Sequence, residues 1–282
     1  MRATHIVAPG AVTVMVAELN KSSPTTASQR RGVSHYTRFD VILVAFGTVG
    51  LWQLLNMFAG DVAISSPIGT ARRSFELLAA PHFWPHVFET IRALAAAYAI
   101  ASLGGTALGA ILGSCRTSGL VFEPILVALY SLPKVTLYPV ILVTFGLGLS
   151  AKVAFGALHG LIPIAIVTLN AVRNIRPVLI KTARTMALSP WASIITVFIP
   201  AVSAEIIAAQ RLGFSLTLLG VLIGEMFASQ RGLGFLIMNA IELHDVSTMM
   251  AVSLMVALAA VAANLALLGL SRRLGVGMSE YA

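Results

Sequence analysis

From Asp40 onward the chain alternates long apolar runs with short polar breaks. The runs lie near residues 40–60, 89–113, 122–148, 151–171, 203–227 and 247–270. Each approaches or exceeds the roughly 20 residues that a helix needs to cross about 30 Å of hydrocarbon. In hydrocarbon every backbone N–H and C=O must bond within its own segment, so runs of this length are helices. Membrane barrel strands would alternate polar and apolar residues, whereas Met255 to Leu268 has no such alternation. The pattern predicts an all-α polytopic membrane protein with six transmembrane helices, occupying residues 39–275. Residues 1–38 read as a disordered tail. Their one apolar stretch, Ile6 to Leu19, is interrupted by Pro9 and Gly10 and is too short to span, and Lys21 to Arg38 is polar. No small-residue cleavage site favours a signal peptide there. Residues 276–282 form a second short tail.

Composition sharpens this reading. Hydrophobic residues make up 57% of the chain and charged residues 11%, too few to coat a soluble fold of 282 residues. Cys115 is the only cysteine, which excludes a disulfide framework. The net charge of +8 does not mark a nucleic-acid partner, because the bases are scattered in small groups between apolar runs. Such groups set orientation. Arg30, Arg31, Arg38, Arg116, Arg173, Arg176, Lys181, Arg184, Arg272 and Arg273 fall on one side of a six-span layout. The loops on the other side hold Arg72, Arg73, Lys152 and Arg231. The bias places both termini and the 172–202 loop in the cytoplasm.

The chain carries no recognisable motor or catalyst. None of its four lysines follows a glycine as a Walker loop requires. Glu123, Glu205 and Glu225 fall near span ends rather than at the midplane, where proton-coupled carriers bury acids. The six histidines are scattered, and His82 and His86 lack a third metal ligand. The second span carries Gly105, Gly109 and Gly113, a small-residue ridge suited to close helix packing, either internal or at a dimer seam. Proline at 124, 133 and 139 predicts kinks in the third.

The loop from Lys181 to Pro200 reads as a short helix, a turn at Ala187 to Ser189, and a second helix. Ser189 can cap that helix and Pro190 fits its first position. Pro200 limits how far back the next helix runs unbroken. Met186, Leu188 and Trp191 need a cover.

This stretch resembles the characteristic loop of permease subunits of binding-protein-dependent ABC importers: Glu-Ala-Ala, three residues, Gly, nine residues, then Ile-x-Leu-Pro. Here the Glu falls on Lys181, the Ala pair on Thr182 and Ala183, the Gly on Ala187, and the close on Val197 to Pro200. Three further stretches resemble the sulfonate, taurine and nitrate branch: Leu132-Pro133-Lys134-Val135 with Pro139; Phe145 to Gly148 with Ser150 and Lys152; and Gly224-Glu225-Met226 with Gly232 to Ile237. The resemblance covers about residues 40–275.

It implies a non-enzymatic permease of the bacterial inner membrane that passes a small polar or anionic solute inward. The implied partners are cytoplasmic ATPase subunits, an extracytoplasmic solute-binding protein, a second permease copy in a homodimer, and the bilayer. ATP and Mg would sit on the ATPase, and no cofactor on this chain. The implied coupling loop is Lys181, Thr182, Ala183, Arg184, Met186, Ala187, Leu188, Ser189, Pro190 and Trp191, seated in a cleft of the ATPase. Three polar residues are pathway candidates. Lys134 attracts an anion or snorkels to the headgroups. Gln210 meets solute or bonds between helices. Glu225 contacts a delivery protein, closes a gate, or pairs with Arg231. The rival class is a self-sufficient carrier or channel driven by the solute gradient, which should show internal repeats or a midplane acid; neither is present.

Overall fold

The computed structural model describes residues 38–273, and among these it contains helices and turns but no strand. Both predicted tails lie outside the described residues, except that Arg38 opens the first helix. The elements are α1 (Arg38–Ala59), α2 (Pro67–Ala79), α3 (Trp84–Ser114), α4 (Arg116–Ser131), α5 (Tyr138–Phe145), α6 (Leu149–Arg173), α7 (Pro177–Thr185), α8 (Pro190–Ser193), α9 (Ile199–Ala228), α10 (Leu233–Glu242) and α11 (Val246–Arg273). The chain divides into two units, residues 1–51 and 52–282. In the first, the described part of α1 turns large apolar side chains outward, with Phe46 75% exposed. The rest of this account concerns the second unit.

Five helical stretches are long and apolar enough to cross a bilayer: Ile42–Ala59, Pro81–Ser114, Leu149–Arg173, Pro190–Phe227 and Val246–Gly269. A sixth is α4 with α5, which pass only as a pair bent by 84°. The expected single helix over 122–148 is therefore broken. Pro133 has no N–H to continue the ladder, and its ring pushes Leu132 into an extended conformation (ψ 137°). The chain then makes a 3₁₀ turn at Lys134–Leu137 before α5 begins. Outward-facing Leu103 (74% exposed) and Val143 (88%) fit a lipid or protein surround, not water.

The core is a sandwich of α3, α6 and α9, with α6 enclosed between the others. The buried positions of α3 are Thr90, Ala93, Ala97, Ala101, Gly105, Gly109 and Gly113. Their spacing of three and then four residues makes one continuous small-residue face, longer than the glycine ridge alone. It lies directly on α6. A Cβ on Gly105 would stand 2.7 Å from the Leu161 carbonyl, one on Gly109 2.5 Å from that of Ala165, and one on Gly113 2.7 Å from that of Leu169. The glycine ridge thus serves internal packing rather than a seam facing outward. Both sets of numbers rise together, so α3 and α6 run parallel. On its other side α6 meets α9 through Gly156 against Val221 and Gly160 against Gly213 and Thr217. There the numbers run oppositely, so α9 is antiparallel. Without a hydrophobic force between helices in lipid, this backbone-to-backbone approach supplies the van der Waals contact that holds the core.

The geometry fixes two ends of the bundle. Ser114 and Arg173 terminate α3 and α6 at one end, where α9 begins; α7 and α8 form an elbow there. Arg173 ties α6 to α4 at that end through Glu123, and it also donates to Asn170 Oδ1 at 3.0 Å. At the other end lie the starts of α3 and α6, the close of α9, and α10.

Candidate functional site

The elbow forms from local signals. The close of α7 is capped by a left-handed Ala187 (φ 48°): its N–H bonds the Arg184 carbonyl at 3.0 Å, and the Leu188 N–H reaches back to Ala183 at 3.2 Å. This is the paired 5→2 and 6→1 arrangement that usually employs glycine at the left-handed position. Alanine adopts it at a cost of about 1 kcal/mol. The absence of glycine therefore does not remove the tight turn. Ser189 Oγ accepts from the Ala192 N–H at 3.2 Å and Pro190 stands first in the next helix.

Pro200 does not interrupt that helix. A π-type segment at Ile194–Phe198 carries α8 into α9, with the Ile199 N–H bonding Ile194 rather than Ile195. The wider turn absorbs the missing proline donor, and one helical stretch runs from Pro190 to Phe227. Of the loop residues, Ala183 is buried inside the elbow and Leu188 is half-buried. Met186 (65%) and Trp191 (71%) stand outside it, as do Lys181, Thr182, Arg184 and Pro190. Two apolar side chains are thus presented on a rigid turn among basic neighbours.

The three polar pathway candidates are not brought together. Gln210 lies mid-helix in α9, accepts from Tyr98 Oη at 3.1 Å and donates to Thr106 at 2.8 Å, tying α9 to α3. Lys134 sits in the 3₁₀ turn at the bend of the third span. Its Nζ donates to the Tyr130 carbonyl at 3.0 Å and lies 4.5 Å from the centroid of the Tyr130 ring. Glu225 lies fifteen residues beyond Gln210, about 22 Å along the helix.

Glu225 is fully buried and does not pair with Arg231. Its carboxylate accepts from Thr90 Oγ1 at 2.8 and 3.0 Å and from the Gly234 N–H at 3.0 Å. Thr90 in turn accepts from the Leu233 N–H at 2.8 Å, and His86 Nδ1 accepts from the Gly232 N–H at 3.2 Å. The start of α10 is therefore received by side chains of α3 and α9, which satisfy donors that a helix start leaves orphaned. Glycine is required on both sides of Leu233. Gly232 has φ 128°, and a Cβ on Gly234 would strike the Leu222 carbonyl and the Glu225 side chain.

Beside this network lies a feature that sequence reasoning missed. Lys152, counted above among loop bases, is inside α6 and only 1% exposed. Its ammonium donates to Glu89 Oε1 at 2.8 Å, Ser229 Oγ at 3.1 Å and the Arg231 carbonyl at 3.3 Å. All three of its protons are used. A buried ammonium is tolerated only with such complete pairing. The pair spans 63 residues of sequence, and no local signal announces it. A cavity of about 600 Å³ opens there, lined by Glu89, Lys152, Ser229, Gln230 and Arg231 with Leu147, Gly148 and Phe227. Among the described residues no cluster of three metal-ligating side chains occurs.

A helical bundle with five spans and a bent sixth is an integral, multi-pass membrane protein. The match to known families is specific: residues 105–279 fit the binding-protein-dependent transport system inner membrane component, and the chain belongs to that family of ABC transporter permeases. It is 31% identical over 196 residues to the riboflavin transport system permease protein RibX of Chloroflexus aurantiacus, covering 69% of this chain and 73% of that one. It is 26% identical over 191 residues to the taurine transport system permease protein TauC of Escherichia coli (68% and 70%). With the nitrate import permease protein NrtB of Leptolyngbya laminosa the identity is 27% over 205 residues (69% and 72%). The family is defined by transport that depends on a binding protein, so ATPase and solute-binding subunits are its implied partners.

Proposed function

We propose that this chain, paired with a second copy of itself, forms the pathway by which a small polar or anionic solute of the sulfonate, taurine or nitrate kind enters the cytoplasm. ATP and Mg bind to separate ATPase subunits. No cofactor sits on the permease. The observation that carries the reading is the elbow: a rigid turn that exposes Met186 and Trp191 at the end of the bundle richest in bases. Exposed apolar side chains of this kind mark a protein contact. A cleft in the ATPase covers them, and its ATP-driven closure biases the permease between two arrangements.

Orientation follows from the same end. Arg116, Arg173, Arg176, Lys181 and Arg184 gather there, and an excess of bases supports a cytoplasmic placement of that end. Burial of Lys152 removes one base from the opposite count and strengthens the bias. With six spans both termini are cytoplasmic. The relative named for nitrate import supports an anionic cargo, while those named for taurine, a zwitterion, and riboflavin support the broader class of small polar solutes.

The test is co-purification of the cognate ATPase with Trp191→Glu and Met186→Glu variants, alongside uptake into proteoliposomes. The elbow should stay folded, since both side chains point away from it, while ATPase retention and uptake fall together. Retained ATPase and unchanged uptake reject the assignment. Solute accumulation by the permease alone, in vesicles without ATPase, rejects the reading in favour of a gradient-driven carrier.

A further inference from the structure

One cation stands at the centre of the bundle without an acid to answer it. Arg211 lies two residues from Gly213, which packs on Gly160, the twelfth of the 25 residues of α6. Both helices therefore place it near the bilayer midplane. Its Nε donates to Asn264 Oδ1 on α11 at 2.9 Å. Its other four N–H groups have no protein partner among the described residues, and it forms no ion pair there. The acids are elsewhere. α11 contains none, and Glu89 of α3 is spent on Lys152 near the start of that helix. Glu225 is fourteen residues along α9 and held by Thr90 and Gly234. Glu205 is exposed six residues the other way, about 9 Å toward the elbow and a third of a turn around the helix.

Arg211 also faces away from α6. Ala204, Ala208, Arg211 and Ser215 recur every three or four residues, in one row along α9, with Arg211 half-buried and the others exposed. Where a helix face suits lipid it carries large apolar side chains, as α3 does with Phe88, Leu103 and Ile111. This row has none. A guanidinium at such depth is strongly disfavoured against hydrocarbon and belongs beside water or protein.

We propose that Arg211 is the charge filter of the solute pathway: a fixed positive charge at the midplane, steadied by Asn264, that bars Na⁺ and K⁺ while solute moves past. That this row of α9 borders the pathway rests on the import reading above. A path opened for a polar solute must stay closed to ions, because each cation that crosses drains the membrane potential. The small side chains at 204, 208 and 215 leave room, and Arg211 supplies the repulsion. At midplane depth bulk water screens it little, so the repulsion reaches over several Å. Glu205 draws a cation only to its own level, nearer the elbow, and the barrier lies beyond it. Fixed positive charge is a recognised means of excluding cations from a pore. Since the effect is one of charge, lysine should replace arginine and glutamine should not.

The experiment is K⁺ flux into proteoliposomes holding the full-length permease with its ATPase, read with and without ATP by a K⁺-sensitive dye inside the vesicles. Flux of uncharged glucose and the amount of bound ATPase are measured on the same preparation. Wild-type vesicles should be tight to K⁺. Arg211→Gln should raise K⁺ flux about tenfold or more and leave glucose flux unchanged. Arg211→Lys should stay tight, and so should Arg72→Gln, which removes an exposed charge elsewhere. A glutamine variant as tight as wild type, a lysine variant as leaky as glutamine, or a glucose flux that rises with that of K⁺ each overturns the proposal. The last of these marks a loosened bundle in place of a lost charge. Loss of bound ATPase counts against the elbow reading alone, since K⁺ flux is judged whether or not the ATPase is retained.

Discussion

Thr90 carries more of the structure than its size implies. Its single hydroxyl donates to the buried Glu225 carboxylate and accepts from the Leu233 N–H, joining α3, α9 and α10 at one oxygen. Thr90→Val keeps the shape and removes both bonds. A hydrogen bond to a charged group is worth about 1.5–3 kcal/mol, and a buried N–H left without a partner costs about 1–3 kcal/mol. The expected loss is about 3 kcal/mol, with Glu225 keeping its bond from Gly234 and so limiting the damage. For a unit of this size that corresponds to a fall in melting temperature of roughly 6–12 °C. The measurement is thermal unfolding of the detergent-purified protein, with Thr90→Ser as control. Serine keeps the hydroxyl and should lose less than about 1 kcal/mol. A valine variant that melts with the wild type, or a serine variant as damaged as valine, would refute the reasoning.

Two further outcomes follow from backbone geometry. Gly109→Val should prevent stable folding, because even a methyl there stands 2.5 Å from a carbonyl and 2.7 Å from Thr168 Cβ, whereas Gly269→Ala, with nothing within 4 Å, should be silent; expression level and detergent melting compare them. At the elbow, Ala187→Gly should slow hydrogen exchange of the Leu188 amide by relieving about 1 kcal/mol of left-handed strain, and Ala187→Val should speed it. The reverse order would remove the left-handed turn from the account.

What the sequence made legible was local. Apolar run length placed the spans, since nothing but a helix satisfies a long backbone in hydrocarbon. Ser189-Pro190 announced the start of the second elbow helix because a cap and a first-turn proline act on neighbouring residues. The bend at Leu132-Pro133 was only half legible: proline signalled a kink, but both flanks are apolar, and run length cannot tell one bent span from a straight one. The continuation of α8 through Pro200 was hidden for a related reason, as a π turn leaves no compositional trace. Contacts between distant segments were not legible at all. Lys152 read as a loop base because Glu89 lies on another helix, and Glu225 read as a partner for nearby Arg231 because Thr90 is 135 residues away. Alternation of polar and apolar residues reports on environment, whereas pairing of buried charges is decided by which helices meet.

The unbroken passage from Pro190 to Phe227 makes the elbow and the seat of α10 two stations on a single strut. Trp191 and Glu225 are separated by 34 residues, or about 50 Å of helix. If the elbow couples to an ATPase as proposed, axial thrust on Trp191 would meet no ordinary loop before reaching Glu225 and Thr90. The π turn at Ile194–Phe198 departs from the regular helix close to where the proposed push would be applied. Small strokes delivered there can be taken up by rewinding that turn, and larger ones must travel the length of the rod and tug at the junction holding α10.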